Sequence, residues 1–222
     1  MTQRGFIVAG TDTGIGKTVF AAALTAAIGA DYWKPVQAGL DEAGLDGETD
    51  SQTVARLAGL PPARIWPEAY RLRLPVSPHL SAAVEGLSIE RERLALPTTQ
   101  RPLVVEAAGG VLVPLTPALL QIEMFAEWGQ SGGLPVIVCA RTTLGTINHT
   151  LLTLEALRHR EIEVHGVAFI GDACDQVELS IAEIGRVCRL GRLPWLESLT
   201  AASLRAAFAD GFQLGDEAPL RS

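Results

Sequence analysis

The residue types and spacing of Gly10 to Thr18 could bind the phosphate groups of a nucleotide. The segment reads Gly-Thr-Asp-Thr-Gly-Ile-Gly-Lys-Thr and directly follows an apolar run at 6–9. Backbone N–H groups of a glycine-rich turn can point at phosphate oxygens, and the helix that follows adds its positive N-terminal end. We expect Lys17 to reach the β- and γ-phosphates and the Thr18 hydroxyl to hold Mg²⁺. The strict phosphate-loop pattern has a glycine where Thr11 stands, so the strand–loop–helix context carries this prediction.

Three charged residues outside this loop stand where a nucleotide site would need them. Lys34 lies in a second short predicted strand, Asp50 begins a predicted helix after an acidic loop at 41–50, and Glu106 closes a third strand. Carboxylates can hold Mg²⁺ beside phosphates. From the residues alone, Asp50 is also a candidate helix cap, and Lys34 and Glu106 could simply meet solvent.

A polar segment from Arg141 to His149 follows the most apolar strand of the chain. Its hydroxyls, its glycine and Asn148 could hydrogen-bond a polar ligand, although capping of the next helix by Thr146 explains the pattern equally well. His79 and His149 lack the spacing of metal ligands, and no cysteine–histidine pair typical of a nucleophilic site can be recognised.

These candidate residues need a scaffold, and apolar strands alternate with helices along the chain. The pattern predicts an α/β fold with a doubly wound, mostly parallel sheet of the P-loop NTPase type, as one domain over 1–222. In such sheets ligands bind beyond the carboxyl ends of the strands. The predicted strands are 6–9, 32–36, 103–107, 134–140, 164–170 and 192–194. The predicted helices are 17–29, 50–60 (capped by Asp50 or Ser51), 81–85, 89–96, 117–128, 147–160, 176–188 and 201–209.

Composition narrows the class of protein. The 222 residues carry 18 Lys and Arg against 25 Asp and Glu, a formal net charge of −7. This acidic balance argues against generic binding of nucleic acid or of an anionic membrane, and no apolar run is long enough for a membrane-spanning helix. The three cysteines form no CxxC pair, which favours a reducing cytoplasm. An enzyme of the cytoplasm is the expected class.

Taken in order, these segments resemble the dethiobiotin synthetase family, ATP-dependent ligases that close the ureido ring in biotin synthesis. Each piece alone is weak, whereas the ordered set is specific and extends from residue 5 to about 197. The matching pieces are Gly10 to Thr18, Lys34-Pro-Val, Asp50, Pro75-Val-Ser-Pro-His79, Val105-Glu-Ala-Ala-Gly-Gly110, Leu144-Gly-Thr-Ile-Asn-His149 and Leu193-Pro-Trp195.

The resemblance implies the conversion of 7,8-diaminononanoate, CO2 and ATP to dethiobiotin, ADP and phosphate, through a carbamate and a carbamic–phosphoric anhydride. It implies that Lys17 and Lys34 are catalytic and that Lys34 binds the carbamate. It also implies a homodimer in which Asn148 reaches the substrate across the interface. The implied metal ligands are Thr18, Asp50 and Glu106. The implied substrate contacts are Thr11, Lys34, Ala38 and Asn148. The implied nucleotide contacts are Thr13, Gly14, Ile15, Gly16, Lys17, Thr18, Val19, Asp50, Glu106, Gly109, Gly171, Asp172, Pro194 and Trp195.

Three residues depart from the family pattern. Ala38 stands where the family often has Ser or Thr, and Ala107 replaces a glycine. The family commonly has Asn-Asp after the strand at 164–170, where the Asn reads adenine. This chain has Gly171-Asp172 there, so another nucleoside triphosphate could replace ATP.

Three other functions share parts of this pattern. Partition-type and nitrogenase-iron-protein-like ATPases carry a signature lysine inside the loop, at the position of Asp12. Amidotransferase-type synthetases carry a second domain, for which this length leaves no room. A nucleotide-binding module without catalysis would not need Lys17, Lys34 and both carboxylates together.

Overall fold

The fold is an α/β sandwich, seen in a computed structural model that describes residues 5–42 and 47–212. The predicted acidic loop at 41–50 therefore lies partly outside the described residues, as do both ends of the predicted domain 1–222. The strands of the described part are β1 (Gly5–Gly10), β2 (Asp31–Trp33), β3 (Val36–Gln37), β4 (Ile65–Trp66), β5 (Tyr70–Arg71), β6 (Leu103–Gly110), β7 (Pro114–Thr116), β8 (Leu119–Leu120), β9 (Val136–Arg141), β10 (Val164–Ile170) and β11 (Arg189–Leu193). The helices there are α1 (Lys17–Ala27), α2 (Asp50–Ala58), α3 (Pro78–Val84), α4 (Gln121–Gly132), α5 (Thr146–Arg158), α6 (Asp175–Ile184) and α7 (Ala201–Gly211).

A seven-stranded sheet forms the centre, in the order β11-β10-β9-β1-β6-β2-β4. Every pairing in it is parallel. Two small sheets accompany it: β3 pairs with β5 in parallel, and β7 pairs with β8 antiparallel. The chain builds one side of the sheet after β1 and then crosses to the other side at β9. The carboxyl end of β1 therefore lies where the strand order reverses, which is where such sheets bind ligands.

Helices cover both faces of the sheet, because strands such as β1 carry apolar side chains on both faces. Successive side chains of a strand point to opposite faces. Phe6 and Val8 accordingly belong to a buried cluster with α1, α2 and α7, whereas Ile7 and Ala9 belong to a second cluster with α4, α5 and α6. The prediction of a doubly wound, mostly parallel sheet is confirmed.

Several predicted element boundaries were wrong for identifiable reasons. The strand expected at 32–36 splits into β2 and β3 around Pro35, which has no N–H to donate to a ladder. The helix expected at 117–128 begins only at Gln121, because the two residues before it pair with β7. The helix expected at 176–188 ends at Ile184, and the helix expected at 89–96 is a short 3₁₀ turn, Arg91–Leu94.

The start of α2 also differs from the prediction. The N-cap is Thr49, not Asp50 or Ser51, and Thr49 forms a capping box with Gln52. Asp50 is the first helical residue, so its carboxylate is free of the capping role that the sequence left open. Among the described residues, no helix is long and apolar enough to cross a membrane.

Candidate functional site

The loop between β1 and α1 is folded around two glycines with left-handed backbones. Gly14 has φ +65° and Gly16, the N-cap of α1, has φ +92°. A Cβ on Gly16 would also lie 2.9 Å from Cγ2 of Ile170. Only glycine suits position 16, because the backbone there has a positive φ and lies too close to β10 for a side chain.

Lys17 extends back over this loop. Its Nζ donates to the backbone carbonyl of Asp12 at 2.7 Å. Burial lowers the pKa of Lys17 below its ordinary value of 10.5, and the nearby Lys34 cation lowers it further. A bound phosphate would stabilise the charged amine and so offset the lowering of its pKa by burial and by Lys34.

A charge cluster lies beside the loop and consists of the buried Lys34 and Glu106, the partly exposed Asp50 and the Thr18 hydroxyl. Nζ of Lys34 is 2.9 Å from Oε1 of Glu106 and also forms an ion pair with Oδ2 of Asp50. The Thr18 hydroxyl donates to the same Oε1 of Glu106 at 2.8 Å. Lys34 is 4% exposed and Glu106 1% exposed, so Glu106 does not merely meet solvent and Lys34 is not a surface lysine.

The pKa values of the cluster follow from these contacts. Burial alone lowers the pKa of Lys34, but the Glu106 and Asp50 carboxylates more than offset this, so the pKa lies above its usual range. Burial tends to raise the pKa of Asp50, and the Lys34 cation outweighs it and holds that pKa below its ordinary value. Lys34 is therefore charged, and Asp50 is ionised, at neutral pH.

Tyr32 is a further member of the cluster that sequence reasoning missed. Its hydroxyl donates to Oε2 of Glu106 at 2.8 Å, and the side chain is completely buried. Burial and the adjacent Glu106 charge raise the pKa of Tyr32 well above its ordinary value, so the phenol keeps its proton. A tyrosine in a short apolar strand resembles any core residue, so no sequence pattern indicates this contact.

Arg141 is a second residue with a role that the sequence did not predict. It ends β9, next to β1 in the sheet, and its Nη2 donates to the backbone carbonyl of Thr13 at 2.8 Å. Because a peptide group is planar, fixing this carbonyl also fixes the N–H of Gly14 on the opposite side. The only hint in the sequence was the position of Arg141 at a strand end.

A cleft of about 710 Å³ joins the loop to the charge cluster. It brings most of the predicted site residues together. Those that line it are Thr13, Gly14, Ile15, Gly16, Lys17, Thr18, Val19, Lys34, Ala38, Asp50, Glu106, Gly109 and Trp195. Its far wall includes the segment 75–78, which contains most of the Pro-Val-Ser-Pro-His motif.

Five predicted residues do not line this cleft: Thr11, Asn148, Gly171, Asp172 and Pro194. Thr11 continues β1, and its N–H donates to the carbonyl of Cys139. Asn148 is exposed on α5. The expected cap of α5, Thr146, is instead its first residue, and Gly145 is the N-cap.

Gly171 lies beside Trp195, which lines the cleft. Its φ is +129°, and a Cβ there would lie 2.7 Å from Oγ1 of Thr142 and 3.5 Å from Nε1 of Trp195. Its carbonyl accepts a hydrogen bond from Arg192 at 3.3 Å. The local backbone therefore requires glycine, and an Asn side chain would not fit this geometry.

Comparisons with known proteins give a consistent result. A family model described as an AAA domain matches residues 4–203. The ATP-dependent dethiobiotin synthetase BioD of Rhodopseudomonas palustris (strain BisA53) is 60% identical over 210 residues, which cover 95% of this chain and 94% of that protein. The protein of the same name from Agrobacterium fabrum (strain C58) is 61% identical over 211 residues and 95% of either chain.

Solved structures share the fold at much lower identity. The ParA family ATPase from Chlorobium tepidum TLS has a TM-score of 0.51 at 11% identity, with 94% of this chain and 92% of that chain covered. Chloroplast FtsY from Physcomitrella patens has a TM-score of 0.50 at 16% identity, with 93% of this chain and 65% of that chain covered. These similarities support the P-loop NTPase type of fold.

Proposed function

The chain belongs to the ATP-dependent dethiobiotin synthetase family, and from this premise we propose that it makes dethiobiotin in biotin synthesis. One amine of 7,8-diaminononanoate takes up CO2 as a carbamate. A carbamate oxygen then attacks the γ-phosphorus of ATP, ADP leaves, and a carbamic–phosphoric anhydride forms. The neighbouring amine attacks the anhydride carbon, phosphate leaves, and the ureido ring closes.

One observation supports this reaction most directly: Lys34 is a second buried cation beside the phosphate loop. A simple nucleotide hydrolase needs a loop lysine for its phosphates. A synthetase that phosphorylates a carbamate must also bring a second anion against the γ-phosphate. Lys34, charged and fixed between Asp50 and Glu106, can bind that carbamate and reduce the repulsion between the two anions.

Lys17 and the loop amides have the complementary role of holding the triphosphate. Lys17 would leave the Asp12 carbonyl, which it contacts at 2.7 Å, and bind the β- and γ-phosphates. Because both reactants are then fixed against each other, positioning supplies much of the rate enhancement. The residues that the family pattern implies as nucleotide contacts would bind the rest of the nucleotide, and most of them line the cleft.

The residues present also fit Mg²⁺. Thr18, Asp50 and Glu106 offer hard oxygen donors, and the Thr18 hydroxyl is 2.8 Å from Glu106. In the described part of the chain, no three His, Cys, Asp or Glu side chains gather into a metal site of their own. A protein that supplies few ligands and leaves the rest to phosphates and water suits Mg²⁺. Bound there with the nucleotide, Mg²⁺ would neutralise charge on the phosphates.

The substrate contacts divide into two groups. Thr11 and Lys34 follow the carboxyl ends of β1 and β2. Ala38 lines the cleft and presents a methyl group where a hydroxyl is common in the family. Asn148 faces solvent on α5 between Leu144 and the 56% exposed Leu152. An exposed polar group between exposed leucines supports a homodimer in which Asn148 serves the partner's site.

The nucleobase is the part of the ligand that the site specifies least. Trp195 is 62% exposed and lines the cleft, so its indole ring can contact a base. Gly171 has no side chain with which to read adenine. We therefore propose that triphosphates other than ATP can also serve as substrates.

We further propose that residues 1–222 form one P-loop NTPase domain and that the protein acts in the cytoplasm. No nucleic acid or membrane partner is proposed.

The experiment that tests this function measures phosphate release with Mg²⁺ and bicarbonate, comparing ATP, CTP and GTP, with and without 7,8-diaminononanoate. We expect release only with the diamine, accompanied by dethiobiotin in equal amount. Release that ignores the diamine would instead support an ATPase switch. Nucleotide binding without any release would identify a binding module.

A further inference from the structure

The carboxylate of Glu106 is held from two sides. Thr18 and Lys34 donate to Oε1 at 2.8 and 2.9 Å from the side of the cleft. Tyr32 donates to Oε2 at 2.8 Å from the opposite side. Thr18, Lys34 and Glu106 line the cleft, and Tyr32 does not. The two oxygens of one carboxylate therefore face different surroundings.

The position of the Tyr32 side chain is set by the sheet and by the core around it. Tyr32 pairs with Val104 in the sheet and packs in the buried cluster that contains Val54. Its hydroxyl position is set by this packing, because a buried aromatic ring has few rotamers to choose from. The hydroxyl is the one donor to Oε2 of Glu106 among the described residues.

We propose that Tyr32 is a positioning residue, which orients the Glu106 carboxylate so that Oε1 faces the metal and nucleotide in the cleft. This inference rests on the proposed role of Glu106 in holding Mg²⁺. Partners that orient a metal-binding side chain typically change metal affinity by about 10- to 100-fold when they are removed. Without the hydroxyl, Oε2 would be left buried without a donor, and the carboxylate would turn toward other partners.

The chain offers a matched control because it contains two tyrosines, Tyr32 and Tyr70. Tyr70 is also buried, at 4% exposure. Its hydroxyl accepts the backbone N–H of Glu90 at 2.8 Å, outside the charge cluster. Tyr32→Phe and Tyr70→Phe thus remove the same atom from equally buried rings, and both should lower thermal stability.

The test is ATP affinity measured by calorimetry, with Mg²⁺ and again with EDTA, in the full chain. The ratio of the two affinities is the gain due to the metal. We expect Tyr32→Phe to reduce this gain about tenfold or more and to leave the ATP affinity in EDTA within about twofold of wild type. We expect Tyr70→Phe to change neither the gain nor the affinity in EDTA. A wild-type gain in Tyr32→Phe would overturn the inference. A wild-type protein that gains nothing from Mg²⁺ would instead overturn the proposed metal site, and the inference with it.

A second measurement does not depend on the folding of Tyr32→Phe. In Tyr70→Phe protein made with 3-fluorotyrosine, the fluorine signal reports on position 32 alone. We expect this signal to shift when ATP binds with Mg²⁺ and to shift less when ATP binds in EDTA. Identical signals in both conditions would overturn the coupling between Tyr32 and the metal side of Glu106.

Discussion

Nζ of Lys34 lies 2.9 Å from Oε1 of Glu106, and both side chains are buried. An ion pair in such surroundings is stable only while both partners remain, because a lone buried charge is costly. The pair thus links the proposed carbamate-binding cation to a proposed metal-binding carboxylate.

Replacement of Lys34 should separate nucleotide binding from product formation. We expect Lys34→Met to abolish dethiobiotin formation and to leave ATP affinity within a few-fold, since the proposed partner of Lys34 is the carbamate. Equilibrium binding and diamine-dependent phosphate release measure the two effects. Lys17→Met is the comparison, because it should damage both. An equal loss of both in Lys34→Met would contradict the carbamate assignment.

Nucleotide binding should take up a proton at alkaline pH. Burial and Lys34 hold the pKa of Lys17 below 10.5 in the free protein, so part of the amine is neutral there. A triphosphate favours the charged form and raises this pKa, so the protein takes up protons on binding. Calorimetry near pH 9 in two buffers of different ionisation enthalpy measures the uptake. If Lys17→Met takes up as many protons as wild type, another group is responsible.

Activity should be shared between subunits if Asn148 serves the partner's site. We expect Lys34→Ala and Asn148→Ala proteins each to be poorly active, and their mixture to regain up to roughly a quarter of wild-type activity. Random exchange makes about half of the dimers mixed, and each mixed dimer has one intact site of two. The test compares dethiobiotin formation by each variant alone with dethiobiotin formation by the mixture. No recovery, despite subunit exchange shown by mass spectrometry, would mean that Asn148 acts in the same subunit's site as Lys34, not in the partner's.

Gly171→Ala should destabilise the protein more than an ordinary glycine replacement. The φ of +129° and the 2.7 Å approach to Oγ1 of Thr142 both oppose a Cβ, so we expect a loss of about 2 kcal/mol. Gly29→Ala is the control, since Gly29 has φ +63° with nothing near its Cβ position and should lose about 1 kcal/mol. Denaturant unfolding measures both. Equal losses would mean that Thr142 does not restrict this position.

Loss of Arg141 should weaken nucleotide binding without direct contact to the nucleotide. Its guanidinium fixes the carbonyl of Thr13, and hydrogen bonds from charged groups contribute about 1.5–3 kcal/mol. We expect Arg141→Ala to lower ATP affinity about tenfold. Arg158→Ala is matched to it, because Arg158 also donates to a backbone carbonyl, that of Arg186, and should leave affinity unchanged. Equal affinities in both variants would contradict a role for Arg141 in the loop.

The sequence predicted the parts of the site that have a local signature. The alternation of strands and helices predicted the sheet, and the strand–loop–helix context around Gly-Lys-Thr indicated Lys17 and Thr18. Lys34 and Glu106 could be selected as charged residues at the ends of apolar strands, and Asp50 because a nucleotide site needs carboxylates to hold Mg²⁺.

The rest depends on contacts between distant parts of the chain. Tyr32 is 74 residues from Glu106 and Arg141 is 128 residues from Thr13, so no local pattern marks either pair. The cap at Thr49 was missed because the neighbouring Asp50 and Ser51 are equally good capping types. Strand pairing, not local propensity, brings Tyr32 to Glu106 and Arg141 to Thr13.

The place of β1 in the sheet also bears on how the protein is made. β1 pairs with β6 at 103–110 on one side and with β9 at 136–141 on the other, so this strand, synthesised before both, waits for partners made much later. Until β9 has left the ribosome, the glycine-rich loop lacks the hydrogen bond from Arg141 to Thr13, and β1 lacks one of its two neighbouring strands. The nascent chain therefore acquires nucleotide affinity late, and its exposed apolar strands need protection in the meantime.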